Sequence, residues 1–191
     1  MSDSARALRG SMLLAAAVVV ADQLTKHWAL NALDDRDIDL FWTLRFNLVF
    51  NQGMAFSQAE GLGPIIGVVA LVVVVGLLVS LRRGAGTLGA VGVGLVVGGA
   101  LGNVIDRLFR GEGWFRGAVV DFIDFQWFPV FNIADISINV GAGLLILGSI
   151  RTSRREAAEA AAAESAEAAD DTEGAEPDED VARDVTGERP S

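Results

Sequence analysis

The chain has 191 residues, half of them apolar, and a net charge of −10. The acidity is local: from Glu156 onward there are 13 acids and 2 arginines, net −11, whereas residues 1–155 carry 13 basic and 12 acidic groups, net +1. The absence of cysteine excludes disulfides, thiolate metal sites and a cysteine nucleophile, and a single histidine, His27, excludes a multi-histidine zinc site and argues against a Ser-His-Asp triad.

Residues 1–10 form a short basic start with Arg6 and Arg9, expected to be a cytoplasmic N-terminus. The apolar run from Met12 to Ala21 continues through Asp22, Gln23, Thr25, Lys26 and His27, which predicts a first transmembrane helix over 11–31 with a polar outer half. A cleaved signal peptide also starts this way, but Asp22 to His27 is a poor cleavage region and further spans follow. Asp22 and Lys26 are four apart with the acid first, the favourable order for an ion pair on one helix face. The pair either offsets its own burial or shapes a site, and the two roles are compatible.

Asp34, Asp35, Asp37 and Asp39 predict an exposed loop. Leu44, Phe46, Leu48 and Phe50 then alternate, and Asn51-Gln52-Gly53 is a turn signal. A small β region over about 40–58 is therefore expected at the membrane surface, with aromatics at headgroup depth. Residues 62–81 are a second span of the length a bilayer core requires. After a tight turn with Arg82 and Arg83, a third span is expected over 87–109, with Gly94, Gly98 and Gly102 as a small-residue stripe for helix packing. The fourth is expected over 132–150. Arginines at the N-terminus, the 82–87 turn and the flank Arg151, Arg154 and Arg155 place both termini in the cytoplasm and the 34–60 and 110–131 connections outside. The fold class is thus a mainly α membrane protein: a four-span domain over 11–151 with a small extracytoplasmic β-sheet, and a disordered acidic C-terminal tail over 152–191. Within the tail, Glu156 to Ala169 suits a frayed helix but has no apolar stripe to bury.

The chemistry gathers at the outer ends of the third and fourth spans. Asn103 and Asp106 share a helix face, Asn132 and Asp135 repeat that spacing, and Asn139 adds a turn. Asp121 stands in the connection between them. If those spans are neighbours, Asp121 returns over Asp135, and two close carboxylates share a proton and divide the work of acid and base on a water molecule. Asp124 is expected as a solvated loop acid and is the rival to Asp121. Asp106 and Arg107 are expected to form an ion pair at the helix end. A proton-coupled transporter would also carry intramembrane acids, but here the acids cluster at one face. A scaffold acting through its tail is the third alternative.

The motifs NQGMAF at 51–56, GGALGNVIDR at 98–107, VVDF at 119–122 and FNIAD at 131–135, with Asp22-Gln23-x-x-Lys26 before them, resemble the lipoprotein signal peptidase family, bacterial signal peptidase II. The resemblance covers about 12–150, in the family's order. It implies a membrane aspartic endopeptidase of the bacterial cytoplasmic membrane, with its active site at the outer face. Such an enzyme removes the signal peptide of prolipoproteins just before a diacylglyceryl-modified cysteine. It further implies Asp121 and Asp135 as the catalytic aspartates. Asn51, Asn103, Arg107 and Asn132 are then expected to line the site, with Asp22, Lys26 and Asp106 in structural support. Globomycin-type inhibitors are expected to occupy the same place. The expected partners are diacylglyceryl prolipoproteins and membrane lipids, with no nucleic acid, metal or cofactor, and the chain is expected to be a monomer. Met54 stands where the family has a smaller residue, and the acidic tail lies outside the resemblance.

Overall fold

The computed structural model describes residues 3–53, 63–82 and 86–173. Seven elements follow in order: α1 (Asp3–Ala32), β1 (Ile38–Phe41), β2 (Leu44–Asn51), α2 (Gly63–Arg82), α3 (Thr87–Phe109), β3 (Val119–Asp124) and α4 (Ile133–Glu173). All four helices are long and apolar enough to cross a membrane, over Ser4–Ala32, Gly63–Leu81, Thr87–Phe109 and Ile133–Ser165. These stretches contain the spans expected at 11–31 and 87–109, and begin one residue inside those expected at 62–81 and 132–150. Helices suit a bilayer because every backbone donor and acceptor is satisfied within the segment.

Burial identifies α3 as the central helix, since 61% of its most apolar stretch is buried against 17–22% in the other three. Glycine permits this. A Cβ on Gly94 would stand 2.9 Å from the Ser11 carbonyl of α1, and one on Gly99 would collide with the Ala134 carbonyl of α4. Close backbone approach of this kind gives membrane helices their packing contacts where the solvent is itself apolar. The stripe at 94, 98 and 102 faces α1, as Gly98 against Ala15 and Gly102 against Asp22 also show. Ser11 reinforces the contact by donating to the Ala90 carbonyl at 2.7 Å.

The three strands form one antiparallel sheet in the order β1-β2-β3. It rests on the end of α1, where the Trp28 ring meets Phe46 at 5.2 Å and Phe122 at 6.1 Å, both edge-on. The β region expected over 40–58 is present through Asn51, while 54–58 lie outside the described residues. The third strand refines the sequence expectation, which placed Asp121 in the connection between the third and fourth spans without a strand there. Val119–Asp124 pairs with β2, Val49 opposite Asp121 and Arg45 opposite Asp124. Two acids in six residues hide the strand pattern, and its pairing partner is far away in sequence.

The expectation of disorder from 152 onward, with a frayed helix allowed over Glu156 to Ala169, gives way to an α4 that runs on to Glu173. Low hydrophobicity denies this stretch a buried face, and residues 151–165 are exposed. It does not deny them helix, because alanine and glutamate are strong helix formers. Arg155 and Glu159 add a pair one turn apart at 2.8 Å. Residues 174–191 of the expected tail, like Met54 and Arg83, lie outside the described residues.

Candidate active site

Helix α4 begins with a reciprocal cap. The Oδ1 of Asn132, one residue before the helix, accepts from the Asp135 backbone N–H at 3.0 Å, and Asp135 Oδ2 accepts from the Asn132 backbone N–H at 3.1 Å. This is a capping box written with asparagine and aspartate, and it satisfies two donors that the helix start leaves orphaned. Asp135 also lines a cavity, while Asn132 is fully buried. Asn132 Nδ2 spends one proton on Asp121 Oδ1 at 2.6 Å and the other on Asn103 Oδ1 at 3.2 Å. Asn103 Nδ2 donates to Asp135 Oδ1 at 3.0 Å. Asn51, at the end of β2, donates to Asp121 Oδ2 at 3.0 Å. Asp121 and Asp135 therefore stand on either side of one fully buried asparagine, and three elements converge on them. Asn139, expected on the same face as Asp135, donates to the Asp135 backbone carbonyl at 2.8 Å.

Beneath them lies a charge network centred on Lys26, which is 0% exposed. Its ammonium has three protons and three acceptors: Asp22 Oδ2 at 2.8 Å, Asp106 Oδ2 at 2.8 Å and Asn103 Oδ1 at 2.9 Å. Asp22 Oδ1 accepts from Ala134 N in the first turn of α4, and Asp106 Oδ2 accepts from Val120 N beside Asp121. Arg110 closes the network on Asp106 Oδ1 at 2.6 Å, and Gln23 donates to the same oxygen at 3.1 Å. Two carboxylates and two cations cancel, as a buried cluster requires. Gln23 and Arg110 received no role from sequence; only their convergence on Asp106 reveals them.

Two expectations change here. Asp106 does not pair with Arg107. Adjacent helical residues point about 100° apart, so Asp106 faces Lys26 while Arg107 turns the other way. Arg107 Nη2 donates to the Gly53 carbonyl at 3.0 Å, and its Nη1 has no hydrogen-bond partner among the described residues. Asp124 is not a solvated loop acid. It is buried at the end of β3, held by Arg45 at 2.7 Å and by the Gln126 backbone N–H at 2.6 Å. Burial pushes its carboxyl up, but Arg45, Gln126 and Asn47 outweigh that and hold it below its ordinary value. Engaged in this way, it is removed as a rival to Asp121.

The cavity has a volume of about 580 Å³. Asn51, Asn103, Arg107, Asp121 and Asp135 supply its polar wall, and Ile66, Phe128, Phe131, Ile136 and Val140 are among its apolar lining. Asp121 is 2% exposed. Burial first, and then the charge of Asp135, push its carboxyl up to about 7, against the opposing hydrogen bonds from Asn51 and Asn132. A carboxyl that holds its proton near neutrality beside a second carboxyl can serve as an acid while its neighbour serves as a base.

Such an arrangement defines a polytopic membrane protein that keeps a pair of linked acids at one mouth of its helices. Comparison with known proteins narrows this class. Residues 14–151 match the family described as Signal peptidase (SPase) II. The lipoprotein signal peptidase of Mycobacterium leprae (strain Br4923) is 41% identical over 147 residues, 76% of this chain and 73% of that protein. That of Mycobacterium tuberculosis (strain ATCC 25618 / H37Rv) is 43% identical over 143 residues, 73% and 71% of the two chains. A solved bacterial membrane enzyme, determined by the in meso method at 2.3 Å resolution, superposes with a TM-score of 0.66 at 29% identity, covering 75% of this chain and 89% of its own. The chain belongs to the signal peptidase II family.

Proposed function

We propose that this protein is a membrane aspartic endopeptidase that removes the signal peptides of bacterial prolipoproteins, cutting just before the diacylglyceryl-modified cysteine. The observation that carries the proposal is the pair Asp121 and Asp135, linked through Asn132 in the wall of a cavity whose remaining lining is largely apolar. The lipoprotein signal peptidases to which the chain is similar support the substrate class. An apolar lining suits a lipid-bearing residue, and the acids suit hydrolysis of an amide.

The hydrogen bonds support the following reaction. Water attacks the scissile carbonyl carbon and gives a proton to Asp135, while Asp121 gives its own proton to the carbonyl oxygen. In the tetrahedral intermediate that forms, Asp135 returns its proton to the leaving nitrogen, the C–N bond breaks, and a hydroxyl proton restores Asp121. Asn132 holds both acids in register, and Asn51 and Asn103 each fix the outer oxygen of one of them. Arg107, whose buried Nη1 has no partner among the described residues and which lies in the cavity wall, is assigned to a backbone carbonyl of the substrate. The arginine-rich connections and termini support a site at the outer face of the cytoplasmic membrane with both termini inside. Globomycin is expected to bind in the cavity.

The test is cleavage of a diacylglyceryl-modified prolipoprotein by purified protein in detergent, beside Asp121→Asn and Asp135→Asn. Wild type is expected to cut before the lipidated cysteine, and both folded variants to lose activity by at least about a thousandfold. Retained activity in either folded variant removes that residue from the dyad, and an inert folded wild type removes the peptidase assignment.

A further inference from the structure

The β1–β2 turn carries two costs that nothing among the described residues offsets. Trp42 heads the turn with a left-handed φ of 51°, and it is 92% exposed. Left-handed backbone disfavours bulky side chains, and glycine or asparagine is the ordinary occupant of such a hairpin position. Leu40 and Phe41, just before it, are exposed as well. The ladder shifts register between Asp39 and Phe41, which leaves Leu40 and Phe41 side by side at the exposed end of the hairpin. A medium that surrounds the tip covers both, and Trp42 with them.

The apolar tip is also short. Asp39 stands opposite Arg45 in the ladder, and Arg45 holds Asp37 at 3.2 Å, so charge begins one residue behind Leu40. The stretch from Leu40 to Trp42 reaches at most about 10 Å, which is the depth of an interfacial insertion and short of a bilayer's middle. The rest of this end has matching chemistry. All 4 tryptophans of the chain are here and at least partly exposed: Trp28 near the end of α1, Trp42 in the turn, and Trp114 and Trp127 between α3 and α4. Tryptophan favours the membrane–water boundary because its ring is apolar while its N–H prefers water.

We infer that the hairpin tip Leu40–Trp42, with Trp127 beside it, is an anchor immersed in the headgroup layer of the bilayer that the helices span, and that it sets the height of the cavity against the lipid surface. The tip is tied to the cavity wall. Gln126 Nε2 donates to the Thr43 carbonyl at 3.1 Å, joining the turn to the segment after β3. The rings of that segment continue from Trp127 to Phe128 to Phe131 at 6.0 and 5.8 Å, and the last two line the cavity. The inference stands apart from the peptidase proposal, because it concerns where the tip lies and not what the site cleaves.

The chain has no cysteine, so Phe41→Cys offers a unique attachment point for a nitroxide. In vesicles of phosphatidylcholine and phosphatidylglycerol, a label at 41 is expected to show an oxygen-to-nickel-chelate accessibility ratio several-fold higher than a label at Asp35→Cys, in the exposed loop behind. Equal ratios would put the tip in water and overturn the inference. Shielding from both relaxants would mean coverage by protein, such as a second copy, and would overturn it as well. A companion measurement leaves Phe41 in place: with Trp28, Trp114 and Trp127 changed to Phe, Trp42 fluorescence is expected to be quenched more by lipids brominated near the headgroup than by lipids brominated at the chain end. Absence of quenching by either lipid contradicts the anchor.

Discussion

Replacing Asp121 by asparagine keeps the side chain's shape and removes its proton, and the structure sets the size of the effect. Burial and the charge of Asp135 raise this carboxyl from 3.8 to about 7 in the folded protein. Between those values the folded state keeps a proton that the unfolded state has released. Stability is therefore full below the lower value, falls as pH rises through the window, and is flat above it. The whole window is worth about 4 kcal/mol, and the part between about pH 5 and pH 7 roughly 3 kcal/mol. Asparagine has no such proton, so the stability difference between wild type and Asp121→Asn should tilt toward the variant by that amount across the window. A second effect displaces the curve without changing its slope. Asn51 and Asn132 each donate to a different oxygen of Asp121, and asparagine offers only one, so one donor loses its acceptor at a cost of about 1–3 kcal/mol. Unfolding of both proteins in detergent, followed from about pH 5 to about pH 8, reads slope and offset separately. A difference that stays constant with pH refutes the claim that Asp121 keeps its proton near neutrality.

Two further outcomes are expected. Lys26→Met leaves Asp22 and Asp106 buried without their shared cation and should cost about 3–5 kcal/mol, with roughly a third to a half recovered by adding Asp22→Asn to restore neutrality; a loss below about 1 kcal/mol in equilibrium unfolding would show the network to be dispensable. Gly99→Leu drives a side chain into the Ala134 carbonyl and should cost about 3 kcal/mol or more, read as a lower midpoint of thermal unfolding; an unchanged midpoint would mean that α3 and α4 are not held at this distance.

The readable features were those fixed by local geometry. Length and hydropathy suffice for four spans, because a bilayer core imposes the length. The Asp22–Lys26 pair follows from helix periodicity, and so does the common face of Asn103 and Asp106, both of which accept from Lys26. Asn132 and Asp135 are legible as a three-residue spacing, although that spacing alone does not say that they cap a helix while Asn132 bridges to Asp121. Partner choice across the fold was not readable. Arg107 is the nearest cation to Asp106 in sequence, yet Lys26 and Arg110 hold that acid. Asp124 looked solvated because its cation, Arg45, is 79 residues away. The strand containing Asp121 has no signal of its own, since β2 supplies its partner and its two acids interrupt the apolar pattern. Composition indicated that the acidic tail lacks a core, which says nothing about backbone conformation, and Ala-Glu sequence forms helix without one.

The capping box at the start of α4 limits how this protein can escape an inhibitor. A compound that anchors itself on Asp135 touches a side chain whose other oxygen helps to begin a membrane helix. Substituting Asp135 to shed the compound also gives up its half of the cap, at about 1 kcal/mol or more, and the register between the two acids. Resistance by substitution is therefore expected on the apolar rim, at positions such as Phe128 or Val140. An inhibitor that takes its affinity from the polar wall, and little from that rim, leaves the chain the fewest ways out.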